Sequence, residues 1–461
     1  MMLILPVCAV QAVSQQEPAG AQNVSPDEDL SSLHLATESE GPEITPDNHP
    51  LTGALRPGIG SWGPHHSFIV PGFSSAQLLE SNPLMEEPGV WRGFTSAAAQ
   101  LQAIQYFGRN IELRYAGATR FDSSASLYST NKITNLHSMS LSGSVTLGSW
   151  SLLAHDQAQY SQGSATGDLG MEGLGPIITQ LSQWGGVTGI QLQSVALQGG
   201  LEPDQTIFLK AGRIANTTLV EADRSLSQHS ALTGVAFYSK LHIFTSAAID
   251  GWQEGVLGGY QQTLSPRDRI GLLYGYSRLG FTSGPGTLST SYASLMYGRS
   301  VSGRLAFEAG AGPETTSNEN PAQGNNTLDW QGRGSVTYSV AQMNFMLSAS
   351  RMVTGGSGVF YGARTTNVMG GLNKRLPVGY RLSLTAGTAL NTSLASTQQY
   401  KTKYLGASLS HSGTRRFSTF LSYSLENQSG IGCPVSGCMP TGVQQILGAG
   451  ISWDSRPIGI Q

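Results

Sequence analysis

The stretch Ser138-Met139-Ser140-Leu141-Ser142-Gly143-Ser144-Val145-Thr146-Leu147 sets a hydroxyl residue against an apolar residue or glycine at every step. A β-strand turns successive side chains to opposite faces, so this pattern makes a strand with one polar and one apolar face. The pattern recurs. Tyr380, Leu382, Leu384, Ala386 and Leu390 alternate with Arg381, Ser383, Thr385 and Gly387. Trp330, Val336, Tyr338 and Val340 alternate with Gln331, Arg333, Ser335, Thr337 and Ser339. Near the C-terminus, Val443, Leu447, Ala449, Ile451 and Trp453 share one face.

Composition narrows the class. Charged residues are 12% of the 461, about half the ~25% of an ordinary soluble domain. Glycine is 58 residues, nearly double the usual ~7%. The net charge of -3 leaves no basic footprint for nucleic acid. No run of about 18 apolar residues occurs, so no transmembrane helix is expected.

Turn residues give the strand count. Short connections fall near 108–110, 148–149, 227–229, 265–268, 301–303, 341–342, 377–379 and 411–414. They alternate with longer ones near 80–93, 122–133, 161–209, 241–251, 280–289, 312–328, 354–362, 391–401 and 427–441. That rotation predicts an all-β fold: a single antiparallel transmembrane barrel of about 18 strands (range 16–18), both termini on the short-turn side. The competing reading is a propeller, whose blades also recur at about 40 residues. Propeller blades pack on both sides, whereas here one face is Ser, Thr, Gly, Gln and charge almost throughout. Lipid demands a closed sheet with every backbone group paired, which favours the barrel.

Before the barrel lie two other regions. Residues 1–16 are apolar and read as a signal peptide, truncated at its start because the basic leading segment is missing. Residues 17–65 read as a disordered periplasmic tail. Glu17–Asp47 holds eight acidic residues, no Lys or Arg, and Pro18, Pro26, Pro42 and Pro46. The barrel is assigned to 66–461. Cys433 and Cys438 sit in the last long connection. With no His or third Cys nearby, a loop disulfide is a better reading than a metal site.

Charges within strands fall mainly on the polar face: Glu112, Arg114 and Arg120; Arg213, Glu221 and Asp223; Glu308; Arg333; Arg381. An Arg or Lys facing lipid at the midplane costs roughly 2–4 kcal/mol, so these residues are expected to line the lumen. They form either mutual ion pairs or a lining that selects solutes. The 161–209 connection is 49 residues long, far beyond an ordinary loop. It carries Asp168, Glu172, Glu202 and Asp204, no Lys or Arg, and apolar residues from Leu169 to Trp184. Such residues want a surface to cover, so the segment either enters the lumen as a constriction or lies as a lid outside. No catalytic, metal or cofactor motif stands above chance: His65-His66 and His155-Asp156 lack a second cluster, and no Gly-x-Ser-x-Gly is present.

The alternating strands, the rotating short and long turns and the aromatic strand ends Tyr160, Phe281 and Trp453 resemble bacterial outer-membrane barrels of the porin type. The Gly355-Gly356-Ser357-Gly358 loop, Arg364, the paired-Cys loop and the terminal Trp453 and Arg456-Pro457 resemble a group of uncharacterised outer-membrane barrels. The resemblance implies residence in the outer membrane of a Gram-negative-type bacterium and insertion by the barrel-assembly machinery. The partners it implies are outer-membrane lipid and small hydrophilic solutes, with a possible homo-oligomer. The leading functional expectation is passive diffusion through a pore narrowed by the third long loop. The alternatives are a plugged surface protein for adhesion or recognition and, third, an embedded hydrolase.

Overall fold

A computed structural model describes residues 67–81, 90–108, 111–123, 133–161, 212–227, 229–244, 248–265, 267–282, 286–302, 304–318, 326–340, 342–356, 359–412, 417–431, 441–455 and 458–459. These hold eighteen long strands: β1 Phe68–Ser81, β2 Trp91–Phe107, β3 Ile111–Asp122, β4 Ile133–Leu147, β5 Trp150–Ser161 and β6 Arg213–Ser227. Next come β7 Ser230–Ile243, β8 Gly251–Thr263, β9 Asp268–Phe281, β10 Thr287–Ser302, β11 Leu305–Asn318 and β12 Thr327–Val340. The last are β13 Met343–Thr354, β14 Ala363–Arg375, β15 Tyr380–Ser393, β16 Gln399–Ser412, β17 Phe417–Ile431 and β18 Gly442–Asp454.

Each strand pairs antiparallel with the next, and β1 pairs with both β2 and β18, which closes the cylinder. A two-residue strand, Ile458–Gly459, extends the seam along β1. Closure leaves no sheet edge, the condition that a lipid environment sets. The strands run 12–17 residues, whereas about 9–11 tilted residues cross a bilayer, so they project beyond it. For that reason several long connections are shorter than the sequence implies; the β15–β16 connection is only 394–398.

The two faces differ as alternation requires. On β7, Leu232 and Tyr238 are exposed on the outside, while Thr233, Val235, Phe237, Ser239 and Leu241 are buried inside. The outer face carries Val220, Val256, Leu272, Leu295, Leu347, Leu405, Leu421 and Ile451 in the open. At the short-turn rim, Tyr380 stacks on His411 at 4.3 Å, Arg224 lies 5.3 Å over Trp150, and Phe417 and Trp453 are register partners. An apolar outer band with aromatic rims on a closed sheet is a lipid-facing surface. The chain is an outer-membrane-type β-barrel, with long connections at one end and short turns at the other.

Candidate functional site

The lumen is the candidate site. Alternation places Glu112, Arg114 and Arg120 on the inner face of β3, and Arg213, Glu221 and Asp223 on that of β6. Glu308 of β11, Arg333 of β12 and Arg381 of β15 also take inward register positions. Several of the contacts these residues make are lateral, along the wall. Arg114 pairs with Glu112. Arg120 Nε donates to Asp122 Oδ1 at 2.6 Å, both side chains almost fully buried. Arg333 Nη2 donates to Glu308 Oε1 at 3.2 Å, and Thr233 Oγ1 donates to Asp223 Oδ1 at 2.6 Å. A charge paired along its own wall satisfies its neighbour and projects little field into the channel.

A second set of pairs ties a hairpin tip to the inner wall. β12 and β13 stay in register only up to Gly332 and Arg351, whereas β13 and β14 continue to Thr354 and Ala363. The tip of the β13–β14 hairpin therefore leaves β12 and folds over the inner wall. Gly356 and Gly362 have φ of +79° and +81°, which side-chain-bearing residues rarely adopt. Val359 N and Phe360 N both donate to Gly356 O, at 3.0 and 3.1 Å, which closes a tight turn. Tyr361 meets Phe281 of β9 edge-on at 5.5 Å, and Phe360 packs on Tyr400 of β16 at 5.7 Å. Val353 and Val359 join a cluster with Leu241, Ile243, Leu279 and Leu288. Since β16 lies six strands beyond β10, the tip spans a chord of the barrel.

Four charges hold this tip. Glu314 and Asp329 are register partners on the inner faces of β11 and β12. Arg351 Nη2 and Arg364 Nη1 each reach Asp329 Oδ2 at 2.8 Å. Arg364 Nη2 stands 3.9 Å from Glu314 Oε2, and Val353 N donates to Glu314 Oε1 at 3.4 Å. Sequence reasoning missed Glu314 and Asp329, although they share parity with Glu308 and Arg333. Arg351 had no readable signal: its parity is that of the outer residue Leu347, and only past the departure from β12 does its guanidinium reach Asp329, lying 4.6 Å over the Trp330 ring.

The inner face is not polar throughout, which corrects the sequence expectation. Leu219, Val235, Phe237, Leu257, Leu273 and Met296 form a continuous buried apolar patch across β6–β10, joined by Tyr292. Glycines make room for it: a Cβ at Gly275 would strike the Tyr292 ring, and one at Gly255 the Phe237 ring. Phe281 is the aromatic strand end of β9, and it packs on the infolded tip. Asp168, Glu172, Glu202, Asp204, Cys433 and Cys438 lie outside the described residues. Among the described residues no group of three or more His, Cys, Asp and Glu is placed to hold a metal.

No family model matches the chain. No curated protein matches it either. Among solved structures, it is similar to the Pseudomonas aeruginosa protein OpdK with vanillate, at 12% identity and a TM-score of 0.42, over 84% of this chain and 98% of that one. OccK5 (OpdH) of the same organism is 11% identical with a TM-score of 0.42, over 85% and 98%. The P. aeruginosa siderophore receptor PirA is 8% identical with a TM-score of 0.38, over 84% and 80%. At these TM-scores the fold rests on the chain's own strand register.

Proposed function

We propose that the barrel is a porin-like channel for passive diffusion of small hydrophilic solutes, narrowed near its long-loop end. The observation that carries this reading is the infolded β13–β14 tip. It sets Arg351 and Arg364 against Asp329 and Glu314 inside a lumen whose wall also carries paired polar side chains and the apolar patch of β6–β10. Opposed charges in a confined, partly desolvated passage interact more strongly than in bulk water and order passing solutes by charge and size. The long β5–β6 connection belongs to the same constriction. Its apolar run Leu169–Trp184 wants a surface, and the apolar patch of β6–β10 begins on the strand that follows it. Asp168, Glu172, Glu202 and Asp204 would then add carboxylates where the passage is narrow. Insertion by the barrel-assembly machinery and self-association are part of the same reading.

Single-channel recording in planar bilayers tests it. The folded protein should give stable ohmic steps, and deleting about 165–200 should raise conductance several-fold. Neutralising the four loop carboxylates to their amides should move ion preference toward anions. Both effects should shrink at 1 M salt, where the Debye length falls to ~3 Å. Unchanged conductance and ion preference after the deletion would make the segment an external lid. The chord made by the infolded tip favours one second reading, a non-conducting surface protein, for which the folded wild type would be silent.

A further inference from the structure

The outer surface carries a charge asymmetry that conduction does not use. β14–β17 hold a single carboxylate, Glu426, and it is buried on the inner face. On the outer face of β16, Lys401 and Lys403 are exposed. Both stand near the long-loop end of the strand, directly above Leu405, the first member of its apolar stripe of Leu405, Ala407 and Leu409. A Lys at the bilayer midplane costs roughly 2–4 kcal/mol, falling to ~0–1 near the interface, so this pair marks the upper edge of the hydrocarbon. On β9, by contrast, the outer-face cation Arg278 lies 3.7 Å from Glu254 of β8. The register partners of Lys403 are Thr388 and Asn427, and Ser429 stands opposite Lys401. Two cations roughly 7 Å apart along one strand, beside hydroxyl and amide groups and with no anion facing them among the described residues, fit a phosphorylated sugar.

We propose that the outer face of β15–β17 binds the phosphate-bearing saccharide headgroup of outer-leaflet lipid through Lys401 and Lys403. Long connections face the cell exterior in such barrels, so this interface meets the outer leaflet. A basic residue near an anionic membrane surface contributes about 1 kcal/mol, which is about fivefold per lysine and about 25-fold for the pair.

The test uses the full mature chain folded in detergent, with bisphosphorylated and dephosphorylated lipid A as probes and native mass spectrometry as readout. Wild type should retain the bisphosphorylated form, and Lys401→Gln with Lys403→Gln should weaken it by about 25-fold. The double arginine variant should keep it. Lys374→Gln, at the short-turn end of β14, should change nothing. Should the double glutamine variant fail to fold, the salt dependence of wild type decides: added salt should weaken the phosphorylated form alone. Equal retention of both lipids by wild type, or an unchanged affinity in a folded double glutamine variant, would overturn the proposal.

Discussion

Arg120 and Asp122 are two residues apart on one strand, both on the inner face, with side chains 4% and 0% exposed. Their 2.6 Å contact is therefore a buried ion pair rather than a channel-lining charge. Removing one partner from such a pair leaves an uncompensated charge and costs about 3–5 kcal/mol, while an apolar replacement of both is often near neutral. Arg120→Met should lower stability by about that amount in urea unfolding from lipid vesicles, followed by tryptophan fluorescence. Adding Asp122→Leu should recover most of the loss. A single variant as stable as wild type would mean that water solvates Asp122 and that the lumen reaches it.

At the scale of the element, the β13–β14 hairpin separates what was legible in the sequence from what was not. Period-two alternation matches the inward register positions of Glu308, Arg333 and Arg381, because each sits where its strand is paired on both sides and obeys the pleat. It was silent on Arg351, because side-chain direction there depends on where β13 parts from β12. The Gly355–Gly358 run signalled an unusual loop, but glycine announces backbone freedom and not direction. The apolar inner patch went unread for a different reason: β7 and β9 carry apolar residues on both faces, which erases the contrast. The clamp yields a direct expectation. Arg351→Gln with Arg364→Gln removes all three pairs between the tip and the wall and should raise single-channel conductance, with the increase shrinking at 1 M salt, where screening reaches ~3 Å. Arg333→Gln, which breaks a pair along the wall, should leave conductance close to wild type. Equal conductance for all three proteins would show that the tip does not limit flow.

For the whole molecule the decisive question is which face meets lipid, since a soluble closed sheet and a membrane barrel share strand pairing but reverse the meaning of the faces. Val256 lies midway along β8 on the outer face and is 55% exposed. Ser335 lies midway along β12 on the inner face, in register with Glu308. In a membrane barrel, Val256→Arg places a charge in hydrocarbon and should cost roughly 2–4 kcal/mol. Ser335→Arg points into a polar lumen beside a carboxylate and should stay within about 1 kcal/mol of wild type. A soluble sheet would give the opposite order, because Val256 would be an ordinary surface position while Ser335 would face a packed interior. Urea unfolding of both variants from vesicles gives the ranking. The loss of the slow-boiled to fast-folded mobility difference on denaturing gels gives it independently. If Ser335→Arg is the more damaging substitution by both measures, the outer band of Val220, Val256, Leu272 and Leu295 does not face lipid, and the membrane reading falls with it.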